Sequence, residues 1–327
     1  MRLDDADWPL FGWISDVRPA LQNARSADRA VVLATLVDVV GSCPRPLGAQ
    51  MLFDGSRATG YFSGGCVEAD IANHAAEVFK SGQARRLVYG DGSPWLDIRL
   101  LCGGRIEILL ERVEPGDPAV DDLLRLQVRR RQAKWQSDGR RHLVDEALHD
   151  GPAFEANGHR YVRNYDPDWR LVVVGGDPVA LAIAQLGALS GFTTILARPD
   201  HPHGDVPLDG VRYIRGNGSR IVADLKPDRW TAVVSAMHDD EADDGVVIAA
   251  LSGDAGYVGV LGALKRIPAR RERLTSIGMR PEKVNALHAP IGAIRCGKAP
   301  WEVAVSTLAE IMQVRAEQQN AAEELRA

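Results

Sequence analysis

The run RLVVVGGDPVALAIAQLGALSGFTTILARPD, residues 170–200, constrains the fold of this chain more than any other segment. A β-branched apolar stretch enters a Gly-Gly turn, continues as apolar residues at helical spacing, and closes with a second strand-like run, TTILAR. That is a βαβ unit. Strand signals recur in GVRYI, TAVVSAM and YVGVLG, alternating with helix-like runs at 244–252, 268–277 and 300–317. The second half, 168–327, is therefore expected to be a Rossmann-like doubly wound α/β domain with a mainly parallel sheet.

A dinucleotide turn needs G-x-G-x-x-G, whose second Gly lets pyrophosphate approach the backbone. Here the turn reads Gly175, Gly176, Asp177, Pro178, Val179, Ala180, so a carboxylate stands in place of that Gly. Asp177 would crowd and repel a pyrophosphate at a helix N-terminus otherwise suited to anions. The second strand ends in Ala197-Arg198, with no acid for a ribose hydroxyl pair; Arg198 suits only a 2′-phosphate. A Rossmann-like scaffold without a tight NAD(P) site is the favoured expectation.

The first half reads as an α+β domain, 1–167. DWPLFGWISDVRPALQNA fits an amphipathic helix, and AVVLATLVDVV a buried strand. GSCPRPLGA then forms a stiff loop, and QMLF and RATGYF flank the hairpin signal Asp54-Gly55. A helix is expected from about 66 to 80, followed by strands in ARRLVYG, WLDIRLL and GRIEILLE. The more polar segment from Val113 to about Asp168, with a second hairpin at Asn157-Gly158, reads as the connection between the domains.

A chain of 327 residues with 45% hydrophobic and 25% charged residues is long enough for about two cored domains. Its formal net charge of -5 argues against a nucleic-acid surface. The basic cluster RRRQAK, 129–134, reads as the solvated side of a helix beginning near Pro118, or as a docking patch for an acidic partner. No apolar run reaches the roughly 20 residues of a membrane helix, and MRLDDADWPL is too acidic for a signal peptide, so a cytoplasmic protein is expected. Cys43, Cys66, Cys102 and Cys296 are widely separated, which speaks against a disulfide framework or a structural metal.

Chemistry concentrates in GYFSGGCVEADI, 60–71. Ser63 is a good N-cap, and Gly64 and Gly65 leave the first amides of the helix unobstructed as an anion cradle. Cys66, in the first turn, would be favoured as a thiolate by the same donors. The plainer alternative is a capping Ser, a glycine bend and a Cys packed as a small apolar residue. Glu68 and Asp70 read equally as dipole partners or proton carriers. Cys102, Gly103 and Gly104 in LLCGGRIEILLE repeat the pattern, or merely turn a hairpin. With Arg45 in a third Gly/Pro loop, these turns suggest loops converging on an anionic ligand with a soft centre, such as a pterin phosphate carrying molybdenum. His238 reads as a ligand contact at the mouth of the sheet or as a solvated loop residue, His288 as a site residue or a satisfied buried His, and Cys296 as packing.

The strings GSCPRPLGAQML, SGGCVEADI and CGGRIEILLE resemble three motifs of the XdhC/CoxI family, accessory proteins of molybdenum hydroxylases such as xanthine dehydrogenase. YVGVLGALKR followed by RRERL, and HAPIGAIRCGKAPWEVAVSTLAEI, resemble that family's C-terminal Rossmann-like domain. The resemblance spans about residues 30 to 316. It implies a chaperone without turnover, hence no catalytic residues, that takes the molybdenum cofactor as cargo. It also implies a cysteine desulfurase and an apo-molybdoenzyme of the xanthine dehydrogenase class as partners, and a homodimer. By resemblance, Cys66 and Cys102 lie near the molybdenum, and Arg45, Ser63, Gly64, Gly65, Gly103 and Gly104 shape the site. Cys43 stands where the family more often has Ser, and LGALKR replaces an LGSRR-like string. Two other functions stay open: an NAD(P)-dependent oxidoreductase using the second domain, and a scaffold bridging desulfurase and molybdoenzyme without holding cofactor.

Overall fold

The computed structural model describes residues 12, 14–63, 65, 67–91, 100, 103–147, 153–158, 160–199, 202–295 and 297–324, the last helix beyond residue 318 by its backbone alone. The chain divides into two compact units, Met1–Pro167 and Asp168–Ala327.

The first unit opens with α1 (Arg18–Ser26), then β1 (Val31–Val40), β2 (Gln50–Phe53), β3 (Ala58–Thr59), α2 (Glu68–Ser81), β4 (Arg85–Tyr89) and β5 (Arg105–Val113). The strands form an antiparallel sheet in the order β3-β2-β1-β5-β4. Because strand side chains alternate, β1 serves two cores. Val32, Ala34 and Leu36 pack with Ile71, Ala75 and Val78 of α2 on one face. Val31, Leu33 and Val37 face Leu21 of α1 and Leu123, Trp135 and Tyr161 on the other.

Those last three residues correct the reading of 113–168 as a connection. The segment folds into α3 (Pro118–Val128), β6 (Ala133–Ser137), β7 (His142–Glu146), β8 (Phe154–Asn157) and β9 (Arg160–Tyr165). Its four strands make a second antiparallel sheet, β7-β6-β9-β8. The basic cluster is likewise not on a helix face. The helix stops at Val128, Arg130 turns the chain at φ 53°, and Ala133 already belongs to β6. Most of WLDIRLL lies outside the described residues.

In the second unit, β10 (Arg170–Gly175), β11 (Thr193–Arg198), β12 (Val211–Arg215), β13 (Thr231–Ala236), β14 (Tyr257–Val260) and β15 (Leu287–His288) form one sheet in the order β12-β11-β10-β13-β14-β15. Every pairing is parallel. The helices are α4 (Pro178–Leu189), α5 (Gly218–Leu225), α6 (Asp240–Ser252), α7 (Ile267–Ser276), α8 (Pro281–Asn285) and α9 (Pro300–Glu324). Helices α4 and α9 pack into the core that holds Leu171 and Val173; α5, α6 and α7 share the opposite core with Val172 and Val174. This is the expected doubly wound arrangement, with the order in which dinucleotide-binding sheets are built. Among the described residues no helix is long and apolar enough to cross a membrane.

Candidate functional site

The antiparallel register fixes where the three glycine-bearing loops of the first unit emerge. Val40, the last residue of β1, pairs with Arg105, the first of β5, and Ile106 pairs with Tyr89, the last of β4. Loops 41–49 and 90–104 therefore leave the same end of the sheet. Gly60, which opens loop 60–67 after β3, lies against the Gln50 carbonyl where β2 begins, so the third loop starts there too.

Contact between the loops is tight enough to demand glycine. A Cβ on Gly104 would come 2.5 Å from the Ser42 carbonyl oxygen of loop 41–49, and within loop 90–104 one on Gly90 would come 2.1 Å from the Gly104 carbonyl oxygen. The Arg45 guanidinium sits 4.9 Å above the Tyr61 ring, tying loop 41–49 to loop 60–67. Of the residues singled out from sequence, Arg45, Ser63, Gly65, Gly103 and Gly104 thus gather at one end of one sheet. Gly64, Cys66 and Cys102 lie outside the described residues, as does Cys296. Cys43 is half-buried against the α2 side of the sheet.

The entrance to α2 differs from the sequence reading. Val67, not Ser63, occupies the N-cap position, and it makes no side-chain cap. Glu68 does the work expected of a bound anion. Its fully buried carboxylate accepts hydrogen bonds from the amides of Phe62 (2.9 Å), Ser63 (2.7 Å), Gly65 (2.8 Å) and Val67 (3.2 Å), and from the Ser63 hydroxyl (2.9 Å). Burial alone would raise its pKa, but these donors outweigh it and hold the group below the usual carboxylate range. The amides of Phe62, Ser63, Gly65 and Val67 are thus turned inward onto the protein's own carboxylate, which shapes the loop. Asp70, in the first turn of the helix, accepts the Tyr89 hydroxyl at 2.7 Å.

What is left over suits an anionic guest. The Arg45 Nε is buried and makes no hydrogen bond among the described residues. Beside Gly65 and Gly103 there is space where a Cβ would stand, with no described residue within 4 Å. A soft metal centre on an anionic organic ligand fits a guanidinium and open glycine turns next in sequence to two cysteines. Among the described residues no cluster of His, Cys, Asp or Glu is built to hold a resident metal ion.

The glycine turn of the second unit is occupied by its own side chains. Asp177 caps α4, its Oδ1 accepting the Ala180 amide at 2.8 Å, and its Oδ2 bonds His238 Nε2 at 2.7 Å. His238, at φ 62°, is thereby committed to the glycine turn from the next strand-end loop. Arg198 lies on Gly176 so closely that a Cβ there would fall 2.1 Å from its Nε. The Asp177 carboxylate thus stands where a pyrophosphate would approach the backbone. His288 is structural in its contacts: it stacks on Tyr257 with ring centroids 4.4 Å apart and meets Glu310 at 3.1 Å, while Glu310 also accepts the Tyr257 hydroxyl and the Gly292 amide.

Sequence comparison matches residues 24–90 to the model described as the XdhC and CoxI family, and residues 171–311 to the XdhC Rossmann domain. The chain is also 31% identical over 298 residues to the molybdenum cofactor insertion chaperone PaoD of Escherichia coli K12, covering 91% of this chain and 87% of that protein. The chain belongs to the XdhC and CoxI family. A further relative, a probable xanthine dehydrogenase subunit of Bacillus subtilis 168, is 26% identical over 314 residues, covering 87% of this chain and 93% of that protein. The fold is shared with a crystal structure described as a xanthine dehydrogenase from Bacillus halodurans, at a TM-score of 0.74 and 21% identity, covering 92% of this chain and 96% of that one. The XdhC/CoxI match contains the loops carrying Arg45 and Ser63, and the XdhC Rossmann match contains the self-capped turn at Asp177.

Proposed function

We propose that this protein is a carrier for the molybdenum cofactor, holding it at the loop end of the N-terminal sheet and delivering it to an apo-molybdoenzyme of the xanthine dehydrogenase class. The observation that carries the reading is the meeting of the three loops, with Gly104 of loop 90–104 against Ser42 of loop 41–49 and Arg45 of that loop over Tyr61 of loop 60–67. PaoD, a molybdenum cofactor insertion chaperone by name, is similar to 91% of this chain.

In this account Arg45 faces the anionic part of the cargo. Gly64, Gly65, Gly103 and Gly104 keep the surface free of side chains, and Ser63 and Glu68 hold the loop in shape. Cys66 and Cys102 supply sulfur beside the molybdenum, whose preference for soft ligands makes thiolates the fitting choice. The protein acts stoichiometrically, shields the cofactor while a cysteine desulfurase supplies its terminal sulfur, works in the cytoplasm, and pairs as a homodimer. The self-capped turn at Asp177 supports a second unit that serves docking or assembly rather than hydride transfer to NAD(P).

The test is transfer. Cofactor-loaded protein mixed with apo-enzyme of the xanthine dehydrogenase class should restore activity in proportion to the carrier added, reaching a plateau near one cofactor per active site. Restoration at the same rate by free cofactor alone would remove the carrier role.

A further inference from the structure

The strings YVGVLGALKR and HAPIGAIRCG find no use in the N-terminal site, yet they converge in the second unit. A cavity of about 370 Å³ opens at the C-terminal ends of β13, β14 and β15, within the range of small-ligand pockets. His238 and Asp240 line it from beyond β13, the segment Val260–Ile267 from the end of β14 onward, and Ala289 and Pro290 from beyond β15. In an open parallel sheet this is where ligands bind. The cavity shares His238 with the turn at Asp177, and its other lining residues follow β13, β14 and β15.

The charges around this cavity have an imbalance. Arg270, only 5% exposed, meets Asp240 at 3.2 Å, Asp243 at 3.5 Å and Asp244 at 2.8 Å, and Asp244 is shared with Arg273 at 2.6 Å, so two cations face three carboxylates before Lys265 and Arg266 are counted. Asp243 is further engaged by the Ser235 hydroxyl and the Met237 amide. Arg266 has only a long contact to Asp240, at 3.4 Å, and Lys265 has no carboxylate partner among the described residues. Both cations stand just before the N-terminus of α7, which has no side-chain cap and no acid in its first turn. Two positive charges at the positive end of a helix dipole repel it, unless an anion sits between them. The α6 N-terminus beside it is capped by Asp239 and carries three acids of its own. Val260, Leu261, Ile267, Ala289 and Pro290 give the cavity an apolar wall for the body of a ligand.

We propose that this cavity binds a small phosphate monoester of mononucleotide size, its phosphate held by Lys265, Arg266 and the α7 N-terminus. The site is independent of the cofactor reading, since it uses no residue of the N-terminal loops.

Isothermal titration of the full chain with CMP, AMP, inorganic phosphate and unphosphorylated cytidine tests it. Saturable binding of CMP or AMP is expected, with inorganic phosphate competing and cytidine silent. Lys265→Ala with Arg266→Ala should weaken that binding by about tenfold or more without lowering the melting temperature, because both side chains are exposed. Cys66→Ala with Cys102→Ala should leave it intact even if cofactor loading is lost. No heat from any phosphorylated probe at millimolar concentration, or binding indifferent to Lys265 and Arg266, overturns the proposal.

Discussion

Replacing Glu68 by Gln removes one charge and almost no volume, so it isolates what the carboxylate does for the loop. One oxygen serves the Phe62 and Ser63 amides; the other serves the Gly65 and Val67 amides and the Ser63 hydroxyl. A glutamine must turn its NH2 group toward one of these sets. Either orientation sets a donor against two backbone amides in a buried place. Each stranded amide costs about 1–3 kcal/mol, and the remaining bonds lose their charge assistance, so a loss of roughly 3 kcal/mol is expected. For a unit of this size that lowers the melting temperature by on the order of 10 °C. The dependence on pH has a definite sign. Glu68 has its folded pKa below its ordinary value of 4.5, so its contribution is complete above that value and is lost as pH falls through the folded pKa. The gap between wild type and Glu68→Gln, followed by thermal melts from neutral pH downward, should be widest near neutrality and close in acid. A variant that melts with wild type at pH 7, or a gap that persists unchanged at low pH, would refute the claim that this carboxylate shapes the loop.

Two further outcomes follow from the same unit. Burial would depress the pKa of His142, but its hydrogen bond to Asp117 at 2.6 Å and the nearby Glu111 overcome this and raise it to about 9. The stability it contributes is complete below its ordinary value of 6.5, declines above it and is gone once pH has risen through about 9; denaturant melts of His142→Gln should lack that alkaline decline, and a wild type equally stable at pH 7 and 10 would contradict it. Gly104→Ala drives a methyl group into the Ser42 carbonyl oxygen at 2.5 Å, costing about 1–3 kcal/mol, and it should impair cofactor retention more than Gly116→Ala, which lies outside the loop site and whose Cβ meets no described residue within 4 Å; equal retention by both would show that the loops need not touch.

The Rossmann-like unit was legible because its inner strands are continuous apolar runs and its turn is local. LVVVG, TTILAR and TAVVSA are each bounded by turn residues, and the stretches between them carry helical spacing, so strand and helix were told apart by length and period. That a carboxylate stands in place of the second Gly needed only the turn itself, and its cap on the Ala180 amide is equally local chemistry. The second sheet of the first unit was hidden by its exposed faces. In β6, Ala133, Trp135 and Ser137 point inward while Lys134 and Gln136 alternate with them, and β9 carries two arginines and an asparagine. Five-residue alternation among charges resembles a polar connection until Trp135 and Tyr161 are seen in the core. The end of α3 was missed because the turn uses Arg130 at positive φ, where a glycine would have marked it.

At the loop site, the glycines and Arg45 were visible as residue types, but the role of Glu68 was not. Its carboxylate reaches back to residues 62 and 63, so the hydrogen bonds run against the direction in which a helix cap is sought. The available signal was an acid placed just inside the helix after a glycine-rich turn, with an apolar Val67 where a capping side chain should stand. Tyr61, the platform for Arg45, carried no signal at all, since the pairing joins two loops through the sheet register rather than through sequence spacing.

The measurement that bears most directly on the central claim is anaerobic loading of the purified full chain with molybdenum cofactor, read as molybdenum and pterin per chain after gel filtration. Wild type should retain close to one of each per chain, and Cys66→Ala with Cys102→Ala should lose them while keeping the wild-type melting curve. A folded wild type that emerges without molybdenum or pterin, or a double variant that retains both as well as wild type does, would contradict the account.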